Sequence, residues 1–338
     1  MKYGHRAALS LTIHDAELSC LSHHESSIRS GSNCLHLAAQ SEVYSATDAQ
    51  GWLQELQKHK PVRTTYRDLQ QRLQRQELLV MPGMSSYSLY IALVEISSAA
   101  CDERATGTLY GPAAFGRFSS LLTCWYQSYK QIATAGEGDR FCLMIYWHAI
   151  FIYISVDIGK LEHAVGRDAA ISGDPDSNLT SVEYAREWST TKAAERAVAH
   201  AFLIQKQLGA RRLDQEPAIH VPRAVFQAAL VLYCYTQFWS GLDATNATSK
   251  EGDTASGGLD FPEIELLGYN PSAILFELHG FRPHRGAPYA TAVLCAMYDL
   301  LQRVGHWDIA REFSRTLGSL LSASRGLHLH SERTDSIL

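Results

Sequence analysis

The chain has 338 residues, 46% of them hydrophobic, and a formal net charge of −5 at pH 7. That supplies enough apolar material for a sizeable core. It excludes a surface built chiefly to neutralise nucleic-acid phosphates, which requires clustered Lys and Arg; Arg211–Arg212 and Arg282 with Arg285 are isolated pairs that read as solvated surface.

Seven cysteines stand at 20, 34, 101, 124, 142, 234 and 295, with no two close in sequence and no CxxC or finger spacing. A zinc site is therefore not expected, and a reducing compartment is. Residues 1–30 carry His, Arg, Asp and Glu throughout, unlike a signal peptide.

Residues 1–32 are polar and weakly patterned, and read as a flexible lead-in that includes His23–His24–Glu25. From Asn33 the spacing of Leu35, Ala38, Ala39 and Val43 predicts a helix. Thr47-Asp48-Ala49-Gln50 has the form of a capping box ahead of Trp52, Leu53 and Leu56, and Pro61 ends that helix. A polar amphipathic helix is predicted over 66–80, then apolar helices over Ser86–Cys101 and Phe115–Ile132.

Phe141 to Val156 is almost wholly apolar, interrupted only by His148 and Ser155, so a helix there needs covering on every side. It is short of the roughly 20 residues a membrane span needs, so a buried helix is expected. Gly159 is expected to break it. A second capping box, Thr180-Ser181-Val182-Glu183, opens a helix through Trp188, interrupted at Ser189–Thr191. Ala194, Ala197, Val198, Ala201, Ile204 and Leu208 line the next. Pro222 sits in the first turn of a second helix of the same almost wholly apolar character, Val221–Trp239. Residues 241–260 are Gly-, Ser-, Thr- and Asp-rich and read as a surface loop; Thr291–Val304 and Trp307–Leu321 close the body, and 324–338 reads as a flexible tail. The expectation is an all-α fold with two or three fully buried central helices, in one body over 33–323.

No phosphate-binding glycine loop, nucleophile elbow or HExxH is present. His148, Asp157, Glu162 and Arg167 are polar groups in an apolar context. His148 and Asp157 are nine positions apart, which on a continuous helix puts them on opposite faces and argues against a shared metal. A backbone-bonded His148 and a Glu162–Arg167 pair fixing helix packing account for them. Arg196 and His200, four apart, face one partner on a helix. His220 reads as part of a helix-entry turn; Trp125, Tyr126, Trp147, Trp188 and Trp239 read as core aromatics.

Four blocks in order resemble the fungal-specific transcription factor regulatory domain, the middle homology region of Zn2Cys6 and Cys2His2 factors. They are Trp147–His148 with Asp157, Leu161–Glu162 and Gly166–Arg167; Trp188–Ser189 with Glu195–Arg196–Ala197 and His200–Ala201; Ala218 to Pro222 leading to Phe226; and Leu301 to Gly305 with Trp307 and Phe313. Residues 140–321 carry the match. It implies a nuclear, non-enzymatic regulator of RNA polymerase II transcription that works through a small-molecule effector, coregulator proteins or a homodimer. This chain lacks the family's zinc finger, so the resemblance implies no autonomous DNA binding, no cofactor and no catalytic residue here, and no membrane partner. A pocket would lie between the helices at 141–156, 184–208 and 221–239. The rival readings are an all-α enzyme or binding protein for an apolar small molecule, and a helical dimerisation or corepressor scaffold.

Overall fold

The computed structural model describes residues 4–22, 24–28, 34–59, 64–79, 84–133, 139–166, 175–211, 216–238, 260–280, 286–305 and 307–335. Among these there are fifteen helices and no strand, so the fold is all-α. The sequence reading has one body over 33–323; the contacts divide the chain into two compact units, Met1–Ile150 with Pro217–His220, and Phe151–Glu216 with Val221–Leu338.

The first unit holds α1 (Gly4–Ser22), α2 (Ser41–Ser45), α3 (Ala49–Lys58), α4 (Tyr66–Gln74), α5 (Ser86–Ala105) and α6 (Pro112–Ala133). Helix α1 corrects the flexible lead-in. Its buried residues Leu9, Ile13, Ala16 and Cys20 fall at steps of four, three and four, a helical stripe, which packs on α5. The exposed Leu11 and Leu18 on other faces blur that stripe in the sequence.

The helix expected from Asn33 is also corrected. Leu35 and Leu37 exchange backbone hydrogen bonds with Tyr66 and Thr64, and His36 bridges Thr65, so this stretch is extended. Helix α3 is capped by Asp48, whose carboxylate accepts from Gly51 N, rather than by Thr47. Thr65 and Asp68 form a reciprocal capping box on α4. That helix stops at Gln74, short of the expected 80. Gln76 has φ +57, and Gln76 N and Glu77 N donate to Leu73 O and Arg72 O, which is a Schellman termination. Helices α5 and α6 are joined by the Trp125 indole, which donates to Leu89 O at 2.8 Å.

The apolar run forms α7 (Leu143–Ser155), with α8 (Ile158–Ala164) after it. The break lies at Val156–Asp157 and bends the pair by 75°. Asp157 accepts from Lys160 N and caps α8, while Gly159 is buried inside that helix; the glycine is not the breaker. No single described helix is long and apolar enough to cross a membrane; this bent pair passes by length and composition only.

The second unit adds α9 (Pro175–Ser189), α10 (Lys192–Gly209), α11 (Val221–Phe238), α12 (Pro262–Leu266), α13 (Pro271–Gly280), α14 (Gly286–Arg303) and α15 (Asp308–Asp335). Helix α11 is its hub, packed by α8, α9, α10, α14 and α15. This matches a mostly apolar run whose Arg223 and Gln227 are themselves buried, and Phe226 stacks on Phe313 of α15 at 4.3 Å. Helix α9 begins at Pro175, so Thr180 lies inside it and does not cap it. The interruption at Ser189–Thr191 is real: Thr191 accepts from Ala194 N as the cap of α10. Helix α15 runs to Asp335, where a flexible tail is expected from 324. Residues 241–259 of the predicted surface loop lie outside the described residues.

Candidate functional site

A buried charged cluster in the second unit is built by α10 and α12. The small residues Ala194, Ala197 and Ala201, all buried, let the helix α10 lie close to its neighbours, which brings Arg196 and His200 against a partner one turn apart. That partner is Glu263. Pro262 starts α12 as a first-turn proline, and Glu263 follows it in the helix's first turn. Arg196 Nε donates to Glu263 Oε1 at 2.7 Å. His200 Nε2 lies 3.7 Å from the same oxygen. Arg196 also donates from Nη2 to Asp260 O and lays its guanidinium over the Phe261 ring at 4.5 Å. His200 stacks flat on Phe151, with centroids 4.5 Å apart and planes 5° from parallel.

This cluster is largely buried, with Arg196 alone reaching water. The side chains of His200 and Glu263 are 0% and 1% exposed, and that of Arg196 is 16% exposed. Burial alone would raise the Glu263 carboxyl; the contacts from His200 and the Arg196 charge outweigh it and hold it below its ordinary value. Burial, against the pull of Glu263, keeps His200 below its ordinary value and therefore neutral near pH 7. Glu263 Oε2 is buried with no hydrogen-bond partner among the described residues. The arrangement suits a clasp that locks α12 onto α10. It places no nucleophile beside a base, and among the described residues no group of three or more His, Cys, Asp or Glu could hold a metal.

The other sequence-selected residues fall into separate local roles. Trp147 is fully buried in the first unit and its indole donates to Leu122 O at 2.9 Å. His148 is fully buried, its ring edge-on to Trp147. In the second unit Asp157 caps α8, and its amide donates to the Tyr184 hydroxyl of α9 at 2.9 Å. Burial pushes that phenol up to about 12, with the Asp157 amide lowering it and the Asp157 charge raising it, while Lys160 lies over the ring at 4.8 Å. Glu162 is buried on α8. Arg167, its expected partner, lies outside the described residues, as does Trp239. Trp188 is buried at the end of α9, and Pro222 is the second residue of α11.

Sequence reasoning paired Arg196 with His200 and missed Glu263, 67 residues beyond Arg196. The available signal was an acidic residue directly after Phe261–Pro262, a helix start following the Gly- and Ser-rich stretch. It also gave His220 only a turn. Within the first unit His220 is a bridge: Nδ1 meets the Tyr90 hydroxyl at 2.9 Å and Nε2 meets Cys142 O at 3.1 Å. Because a carbonyl only accepts, Nε2 carries the proton and Nδ1 accepts from Tyr90. The imidazole also stacks on Tyr146 at 4.5 Å. The bridge grips the backbone at Cys142, a non-glycine residue held at φ +53. Family models, curated proteins and solved structures were all compared with this chain, and none matches it.

Proposed function

We propose that this chain is a regulatory module of a fungal transcription factor, controlling RNA polymerase II transcription through an effector or a protein partner. The observation that carries the reading is the ordered resemblance over 140–321, held by residues such as Trp147, Trp188, Arg196 and His200. Those residues are buried or part-buried and engaged in packing, capping and ion pairing, which is how a family united by a helical body rather than by a reaction would use its shared positions. Such a body regulates by favouring one conformation, and a ligand shifts it only through unequal affinity for two conformations. Nuclear localisation, coregulator binding and self-association belong to the same proposal.

The test tethers the full chain to an unrelated DNA-binding domain upstream of a reporter gene in a fungal host. The expected result is a several-fold change in reporter output relative to the DNA-binding domain alone, in either direction. Output unchanged across carbon, nitrogen and stress conditions, with the fusion present in the nucleus at normal abundance, would overturn the reading.

A further inference from the structure

Two cysteines that are 81 residues apart in sequence meet in the first unit. Cys20, in the last turn of α1, and Cys101, near the end of α5, have their sulfur atoms 2.9 Å apart. That is within about 1 Å of the roughly 2.05 Å of a bonded pair. Both side chains are buried, at 3% and 5% exposure. Ser97, one turn before Cys101 on α5, places its hydroxyl 3.6 Å from the Cys20 sulfur, so the helix presents a small polar notch that receives Cys20.

We infer that Cys20 and Cys101 form a reversible intramolecular disulfide that latches α1 to α5, made by a hydroperoxide and undone by a dithiol. This inference does not rest on the regulatory reading. The two sulfur atoms need to approach by about one further ångström to reach bonding distance. Access comes from α1 packing chiefly on one other helix, α5; an element held by so little of the core opens locally before the core does. In the opened form one thiol, as thiolate, attacks the hydroperoxide; the O–O bond breaks, an alcohol or water leaves, and the sulfur becomes a sulfenic acid. When α1 recloses, the second thiol displaces hydroxide from that sulfur, which departs as water. Two thiols and one hydroperoxide thus give one disulfide, one alcohol or water, and one further water. A dithiol reverses the step by exchange, becoming a disulfide itself. Closing so long a loop removes much freedom from the unfolded chain, so the oxidised form should resist unfolding and α1 should stop opening.

The experiment uses the full reduced chain, hydrogen peroxide as oxidant, alkylation of remaining thiols under denaturant, and peptide mapping without reduction. The expected result is one dominant cross-link, Cys20 to Cys101, removed by dithiothreitol, with slower amide exchange over 4–22 and a higher melting temperature in the oxidised chain. Recovery of both residues as alkylated thiols, at a peroxide dose that oxidises the exposed Cys34, would overturn it. So would cross-links scattered among other cysteines, or a link that forms only in denaturant. The melting shift should vanish in Cys101→Ala; should that variant fold poorly, the map of the unaltered chain still decides.

Discussion

Glu263 Oε1 accepts from Arg196 Nε at 2.7 Å, across 67 residues of sequence, with the carboxylate side chain 1% exposed. A buried ion pair contributes little over a well-packed apolar substitute, but removing one partner strands the other. Arg196→Met should therefore cost about 3–5 kcal/mol in urea unfolding. Glu263→Gln should cost less, because Arg196 keeps a route to water. Adding Glu263→Gln to Arg196→Met should recover part of the loss, since no charge is then stranded. Additive losses in that cycle would mean the two residues stabilise the fold independently.

Acid should weaken the second unit in two stages. His200 has an ordinary value of 6.5 and a lower one when folded. Below about pH 6.5 the unfolded chain therefore takes up a proton that the folded chain refuses, and stability falls as pH falls. Glu263 is also held below its ordinary 4.5. Its contribution is present above that value and is lost as pH drops through the folded value. Melting temperature should be level from pH 8 to 7, decline below 6.5, and decline further below 4.5. His200→Gln should flatten the first decline and shrink the second, because His200 is also one of the groups that hold Glu263 down. A melting temperature that stays constant from pH 7 to 5 would contradict the buried neutral imidazole.

Trp147 links its helix to α6 through the indole N–H on Leu122 O, and its ring contacts Tyr126 at 5.6 Å. Trp147→Ala empties a fully buried site and should cost about 3–5 kcal/mol. Trp147→Phe keeps part of the ring and loses chiefly the hydrogen bond, so it should cost about 1–3 kcal/mol. If the residue serves the fold, reporter output in the tethered assay should follow the denaturation midpoint across the two variants. A variant with an unchanged midpoint and abolished output would move Trp147 from packing to partner recognition.

The all-α class and the two predominantly apolar helices were legible because a run such as Leu143–Ser155 or Val221–Phe238 has too few polar residues to make a solvent-facing side and must be enclosed. Arg196 facing a shared partner with His200 was legible from helical spacing alone. Glu263 was not, because nothing local relates α12 to α10 across the residues between them. Helix α1 was obscured by the exposed Leu11 and Leu18, which lie off its buried stripe. The chain break after α7 was assigned to Gly159 because glycine has the poorer helix propensity; the decisive feature is Asp157, whose carboxylate caps the next helix and competes with continuing the first. Cys20 and Cys101 show the same limit: contact between distant helices leaves no trace in spacing.

The end of α4 offers a test that touches no buried group. Gln76 is exposed and occupies the position where a Schellman termination usually places glycine, at φ +57. An L side chain there meets the following carbonyl, at a cost of roughly 1–2 kcal/mol that glycine avoids. Glycine also has more freedom to lose from the unfolded chain, about 0.5–1 kcal/mol. The difference leaves Gln76→Gly stabilising by about 0.5–1 kcal/mol, read as a higher urea midpoint with an unchanged slope. Gln76→Val should go the other way, because a β-branched side chain tolerates this backbone least. Equal midpoints for all three chains would mean that residue 76 does not hold the left-handed conformation in solution and that α4 ends by fraying.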